Sequence, residues 1–391
     1  RNMEYNFEQI VERKGSNSVK WDARPDLPPS TIPLWVADMD FKAAQPIQDA
    51  IRRRAEHGVF GYSTPSDDFF QATCDWFAKW HNWNIDKSLL IPIPGIVPAL
   101  TVLVKALTQP GEGVLIMTPV YNCFFTSLIN TCRVCIESPL KYEHNRYTID
   151  YDNLEACAAL PHCKLLILCN PHNPAGRVWT HEELAKVVDI AKRHDVFIVS
   201  DEIHGELVFP EYEYTPFATM GMDRWVSCVS PSKAFNIAGL QISNIAVSDN
   251  DLKDRIKRVI KENEVGEVNP FGIVSLIAAY RHSRDWLTQL LDYIQGNYHA
   301  IKEAFESQAP DFPVTEMEGT YLAWVDVSAI DTPVAELSEQ LIKDAGVWVN
   351  PGSMYGKDGE GFIRINMACP RKMLVEGVGK LIASLNEYKK K

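Results

Sequence analysis

Lys164-Leu165-Leu166-Ile167-Leu168-Cys169 runs straight into Asn170-Pro171-His172-Asn173-Pro174-Ala175-Gly176-Arg177. After its lysine, the first block is a short apolar run bounded by turn residues, the pattern of a strand buried on both faces of a parallel sheet. The second block sets two prolines and a glycine around Asn173, an extended turn that aims that side chain from between rigid neighbours. Taken alone, this block is also satisfied by a turn with no further role. A helix is predicted next over His181–His194, with Thr180 as N-cap and Glu183 three residues on to complete a capping box. Val196–Val199 is the following strand, and it runs into Ser200-Asp201-Glu202-Ile203-His204. Strand, turn, helix and strand in that order make a right-handed βαβ unit, and the fold class is α/β.

The same alternation extends outward. Ile96–Thr108 reads as a helix opening after Gly95, and Val114–Met117, Val226–Val229 and Ile242–Val247 read as further strands of a mostly parallel sheet. The C-terminal third changes character. Trp286–Gln308 is a long helical pattern, followed by strands Tyr321–Val327, Val347–Val349 and Phe362–Asn366, a helix Val334–Ala345 and a last helix from Arg371. That is a smaller α+β unit. The division expected is a large α/β domain over 45–285 and a small domain made of 1–44 and 286–391.

Composition narrows the function. The 391 residues are 46% hydrophobic and 23% charged, which excludes disordered, collagen-like and coiled-coil chains. With 39 basic against 51 acidic side chains the net charge is −12, the wrong sign for a nucleic-acid binder. Arg52-Arg53-Arg54 and Lys389-Lys390-Lys391 read as a solvated helix face and a tail. No apolar run approaches the ~20 residues of a membrane span, and no signal-peptide pattern is seen. Nine cysteines are too sparse, and odd in number, for a disulfide scaffold, so a reduced, cytoplasmic protein is expected. Cys132 and Cys135 form a lone CxxC without a second pair, and no metal site is expected. A dinucleotide GxGxxG, a P-loop, a GxSxG elbow and HExxH are all absent from the sequence.

In an open α/β sheet, ligands bind beyond the carboxyl ends of the strands, and the unusual polar residues lie there. Lys233 follows a strand in Ser230-Pro231-Ser232-Lys233 and precedes the uncharged Ala234–Gly239. A poorly solvated lysine has a lowered pKa and a free amine for Schiff-base chemistry, though a surface lysine is the commoner reading. Asp201 ends an apolar strand, where a carboxylate needs a partner: a helix start, a protein cation or the protonated ring nitrogen of a cofactor. Gly95 opens a helix whose first N–H groups, on Ile96 and Val97, make an anion site. Arg364 sits mid-strand among apolar residues and wants a bidentate carboxylate, from the protein or from a ligand.

Together Asn170–Gly176, Ser200–His204 and Ser232-Lys233-Ala234-Phe235-Asn236-Ile237-Ala238-Gly239-Leu240 resemble fold-type I pyridoxal-phosphate enzymes of the class I/II aminotransferase superfamily. Trp35-Val36-Ala37-Asp38-Met39-Asp40-Phe41, His172, Asp201-Glu202-Ile203-His204 and Asn366-Met367-Ala368-Cys369-Pro370 resemble its MalY/PatB type of carbon–sulfur β-lyase, which is cystathionine β-lyase-like. The resemblance implies a large domain on a mostly parallel seven-stranded sheet, a smaller α+β domain and pyridoxal 5'-phosphate as cofactor. It implies that Lys233 carries the cofactor and then moves the Cα proton, that Asp201 holds the ring nitrogen, that Asn173 bonds the ring oxygen and that Tyr121 stacks on the ring. Ile96, Val97, Ser230 and Ser232 would cradle the phosphate, joined by Tyr62 of a partner subunit, so a homodimer is implied. Arg364 and the Ala37 N–H would grip the substrate carboxylate.

Two positions depart from the aminotransferase pattern: His204 stands where a tyrosine is common, and Gln241 where a phosphate-binding arginine is common. The activity implied is cleavage of L-cystathionine or related cysteine S-conjugates to a thiol, pyruvate and ammonia. The alternatives are an aminotransferase, which would use the same residues, and a catalytically silent regulatory protein.

Overall fold

The computed structural model describes residues 3–391; Arg1 and Asn2, which the sequence assigns to the smaller unit, lie outside the described residues. The elements run α1 (Gln45–His57), α2 (Asp67–His81), β1 (Leu90–Ile93), α3 (Ile96–Leu107), β2 (Gly113–Thr118), α4 (Asn122–Asn130), β3 (Val134–Pro139), α5 (Tyr151–Ala158) and β4 (Cys163–Cys169). They continue with α6 (His181–Arg193), β5 (Phe197–Asp201), β6 (Val226–Val229), β7 (Ser243–Val247), α7 (Asn250–Asn263), α8 (Pro270–His282) and α9 (Arg284–Gln308). The chain ends with β8 (Leu322–Asp326), α10 (Val334–Ala345), β9 (Asn350–Pro351), β10 (Phe362–Asn366) and α11 (Arg371–Lys389).

Among the described residues, seven strands form one sheet in the order β1-β7-β6-β5-β4-β2-β3. Only β7 runs against its neighbours; the rest are parallel. Alternate residues of a strand face opposite ways. Leu165 and Ile167 of β4 therefore join α3, α4 and α7 through Leu100, Leu128 and Ile256, while Leu166 and Leu168 join α6 through Leu184 and Val187. Helices cover both faces. The capping box at α6 is present, with the Thr180 Oγ1 accepting the Glu183 N–H and the Glu183 carboxylate accepting the Thr180 N–H. A cap of this type contributes about 1 kcal/mol.

Two strands of this sheet are given no bounds by the sequence reading. β1 carries Pro92, which argues against a strand, but β1 is an edge strand whose partner is β7, and an edge tolerates a missing N–H. β3 lies at the other edge, half exposed, so its apolar pattern is diluted. It contains Cys135 of the CxxC, and Cys132 and Cys135 are both free thiols.

β8, β10 and β9 form a second, three-stranded antiparallel sheet. The predicted strand Val347–Val349 does not join it. Val347 and Trp348 pair instead in parallel with Ile32 and Pro33, and the chain re-enters the sheet only at Asn350. No helix among the described residues is long and apolar enough to cross a membrane.

Candidate active site

Six parallel strands end on one edge of the large sheet, and the loops after them meet there. β7 runs the other way, so its first residue, Ser243, paired with Ile93, reaches the same edge. A cavity of ≈ 270 Å³ opens at this place. Its wall includes Ala37, Ile96, Val97, Tyr121, Asn173, Asp201, His204, Ser232 and Lys233, all expected from the sequence. Gln241 lines it too, and Cys169 and Ser243 join the wall without any signal in the sequence. Cys169 stands beside Asp201 in the strand register.

One end of the cavity is built for an anion. α3 starts at Gly95 in extended conformation with no side-chain cap. The first N–H groups of a helix lack intrahelical partners, so those of Ile96 and Val97 are free to face a phosphate. Pro98, in the same turn, has no N–H to lose. Ser232 lines the wall, but Ser230 stands behind it. The Ser230 hydroxyl accepts the Ser232 N–H at 3.0 Å and lies 2.8 Å from the Ile242 carbonyl oxygen. Ser230 therefore orients Ser232.

Asp201, the last residue of β5, is buried and accepts the Ile203 N–H at 3.2 Å. Burial pushes its carboxyl up to about 6, against the pull of that N–H and of the Lys233 charge. The buried His204 is pushed down to about 3 by burial and by the positive charges of Lys233 and Arg364, so its imidazole is neutral. Its Nδ1 has no partner among the described residues. Tyr121 is the N-cap residue of α4, and burial raises its hydroxyl far above the ordinary range.

Lys233 donates from Nζ to the Ala37 carbonyl at 2.7 Å. Burial, then the charge of Arg364, lowers its amine from 10.5 to about 8, which gives a far larger neutral fraction at neutral pH than an exposed lysine has. Arg364 lies in the middle of β10, behind the wall. Its Nη1 reaches the Asn173 Oδ1 at 3.4 Å, its Nη2 donates to the Trp35 carbonyl at 3.1 Å, and its guanidinium sits 4.9 Å from the centre of the Tyr355 ring. It forms no ion pair with a carboxylate among the described residues, and its buried Nε is unpartnered. A buried guanidinium in that condition can accept a carboxylate from outside the chain.

Ala37 is held over the cavity by a strap, Trp35–Phe41, clamped from several sides. Asn366 Nδ2 donates to the Val36 and Asp38 carbonyls at 2.7 Å each, and Asn236 bonds Met39 and Phe41. Asp40 takes Lys20 at 2.6 Å and Arg13 and Trp21 at 2.8 Å, and these partners far away in sequence gave no signal of their own. Tyr62 stands apart. It is 98% exposed and outside the cavity wall of its own chain.

The donor set fits pyridoxal phosphate: an uncapped helix start for the phosphate, a buried carboxylate for the ring nitrogen, and a buried amine of lowered pKa for the aldehyde. No cluster of three or more metal-ligating side chains is found among the described residues.

Comparison with known proteins agrees with this geometry. The chain is 37% identical to the cystathionine beta-lyase PatB of Bacillus subtilis (strain 168) over 386 residues, covering 97% of this chain and 100% of the relative. Cystalysin from Treponema denticola, whose crystal structure contains pyridoxal 5'-phosphate, superposes with a TM-score of 0.95 at 34% identity, covering 98% of this chain and 100% of cystalysin. The pyridoxal-phosphate-bound C-S lyase from Staphylococcus hominis gives 0.92 at 33% identity, covering 98% of each chain. The family model for aminotransferase class I and II matches residues 30–381. Fold, cavity and sequence agree that the chain belongs to the aminotransferase class I and II family.

Proposed function

We propose that this protein is a pyridoxal-phosphate-dependent carbon–sulfur β-lyase that cleaves L-cystathionine or related cysteine S-conjugates to a thiol, pyruvate and ammonia. The convergence of Lys233 and Asp201 on one cavity, with the unpaired Arg364 behind its wall against Asn173, carries the pyridoxal-phosphate chemistry, and the 37% identity to a cystathionine beta-lyase over nearly the whole chain carries the choice of lyase over aminotransferase. The relatives named as cystathionine beta-lyase and C-S lyase support it.

When bound, pyridoxal phosphate supplies an electron sink for negative charge at the substrate Cα. Each residue of the chain then has a task. Ile96, Val97 and Ser232 hold the phosphate, and Ser230 sets the orientation of Ser232. Asp201 keeps a proton on the ring nitrogen, its own charge restored by that cation. Asn173 bonds the ring oxygen, and His204, neutral, stands beside it. Tyr121 covers the ring face. Arg364, with the Ala37 N–H, anchors the α-carboxylate and so fixes rotation about the Cα bonds. Lys233 takes the Cα proton. Anchoring aligns the Cβ–S bond for departure, and orientation of this kind supplies several kcal/mol.

The test is pyruvate formation from L-cystathionine by the holoenzyme without any 2-oxo acid. Sustained release over many turnovers supports the lyase. Background pyruvate, with glutamate formed only on adding 2-oxoglutarate, makes the protein an aminotransferase.

The protein works as a homodimer in this reading, with Tyr62 of the partner subunit on the cofactor phosphate. Its full exposure in one chain, beside the exposed Val59 and Phe60, supports this. Mixing inactive Lys233→Ala protein with weakened Tyr62→Ala protein is expected to restore activity that neither has, because hybrid dimers hold one intact site. No recovery after subunit exchange rejects the shared site. The division into 45–285 and 1–44 with 286–391 is part of the same proposal, supported by the pairing of Ile32–Pro33 with Val347–Trp348. The nine unpaired cysteines suit a reducing compartment, and the cytoplasm is our assignment.

A further inference from the structure

The free amine of Lys233 shares its acceptor. Its Nζ donates to the Ala37 carbonyl at 2.7 Å, and the Tyr321 hydroxyl donates to the same oxygen at 2.9 Å. The two donors are thus within a few ångström of one another. We propose that Tyr321 is a positioning residue for Lys233: its hydroxyl fixes the Ala37 carbonyl, which aims the freed amine at the substrate Cα hydrogen. This rests on the lysine-based proton transfer proposed above.

The carbonyl is well suited to that task. The carbonyls on either side, of Val36 and Asp38, are both taken by Asn366 Nδ2, which leaves the Ala37 oxygen facing Lys233 and Tyr321. Tyr321 is itself immobile. It is fully buried, its backbone carbonyl accepts the Met367 N–H at 2.8 Å, and the next residue, Leu322, enters β8 opposite Asn366. Burial holds its hydroxyl protonated, so it remains a donor. The hydroxyl's one hydrogen bond among the described residues is the one to Ala37. An amine acting as a base has a single lone pair, and committing one N–H to a fixed acceptor confines where that lone pair points. Misplacing a reacting group by an ångström costs up to ~10²-fold in rate.

Tyr321→Phe keeps the ring and removes only the hydroxyl. In the holoenzyme it is expected to lower kcat by about tenfold with KM within about twofold, and to raise the primary isotope effect from Cα-deuterated substrate. A second readout needs no turnover: the pH dependence of Lys233 acylation by an amine-selective reagent in the cofactor-free protein. The groups facing that amine are Arg364 from β10, Asp38 from the strap, Asp201 from β5, the neutral His204 just after it and Cys123 from α4. In the wild type its reactivity is expected to be half-maximal near pH 8, below the 10.5 of an exposed lysine. Without the competing hydroxyl, the Ala37 oxygen is left to the ammonium alone, so the midpoint moves up and the neutral fraction at pH 8 falls. An unchanged midpoint, or an unchanged kcat in a folded variant, overturns the proposal. Where the phenylalanine variant does not fold, 3-fluorotyrosine at position 321, a stronger donor of nearly the same shape, is expected to move the midpoint down; a fixed midpoint again overturns it. The acylation readout is independent of the reaction catalysed, so a protein that makes no pyruvate tests the lyase reading and leaves this one to be judged separately.

Discussion

Lys233→Ala is expected to lower pyruvate release by about 10⁴-fold, near the upper range for removing an acid–base group, and to abolish the visible absorbance of covalently held cofactor. Two functions are lost together. Among the described residues the amine is the one cationic side chain in the cavity wall, and in the proposed function it is both the attachment point and the base. Addition of a soluble primary amine is expected to restore part of the rate, since it can replace the base but not its position. The measurements are the absorbance spectrum and steady-state pyruvate release. A Lys233→Ala protein that keeps the visible band, or more than a few per cent of the rate, contradicts the assignment of Lys233.

Arg364→Ala is expected to reduce kcat/KM by about 10³-fold, with cofactor binding little changed. Among the described residues the guanidinium has no carboxylate to neutralise it, and it is held by the Trp35 carbonyl, Asn173 and the face of Tyr355. Such an arrangement leaves its charge available to an incoming carboxylate. Arg364→Lys keeps the charge but not the fork that engages two oxygens, and about 10-fold or more of the loss is expected to persist. If both variants bind L-cystathionine as tightly as the wild type, Arg364 is a structural residue of β10 and the carboxylate anchor lies elsewhere.

Much of the fold can be read from the sequence because buried parallel strands are plain apolar runs. β4, β5, β6 and β7 fall within a few residues of their predicted places, and α10 and β10 match their predicted bounds. The failures have a common cause in strand position. β1 holds a proline that its edge position excuses, β3 is diluted by exposure, and the segment after Val347 is claimed by Ile32 and Pro33, a pairing across more than three hundred residues of chain.

The cavity was legible where its residues sit in the loops at strand ends, which is why Asn173, Asp201, His204 and Lys233 could be named in advance. Ser243 was not, because only the reversed direction of β7 brings its first residue to that edge. Ser230 is absent from the wall, and the sequence does not show that its hydroxyl turns to Ile242. Arg13 and Lys20, which fasten Asp40 and hence the strap carrying Ala37, act through contacts no local pattern reveals.

A cavity that breaks a carbon–sulfur bond releases a thiol for every pyruvate. The most direct measurement follows thiol and pyruvate together from L-cystathionine, with purified holoenzyme and no 2-oxo acid, over many turnovers. The two products are expected to accumulate linearly and in equal amounts, and neither to appear with Lys233→Ala. Formation of no thiol, with the amino group passing instead to an added 2-oxo acid, would contradict the lyase reading.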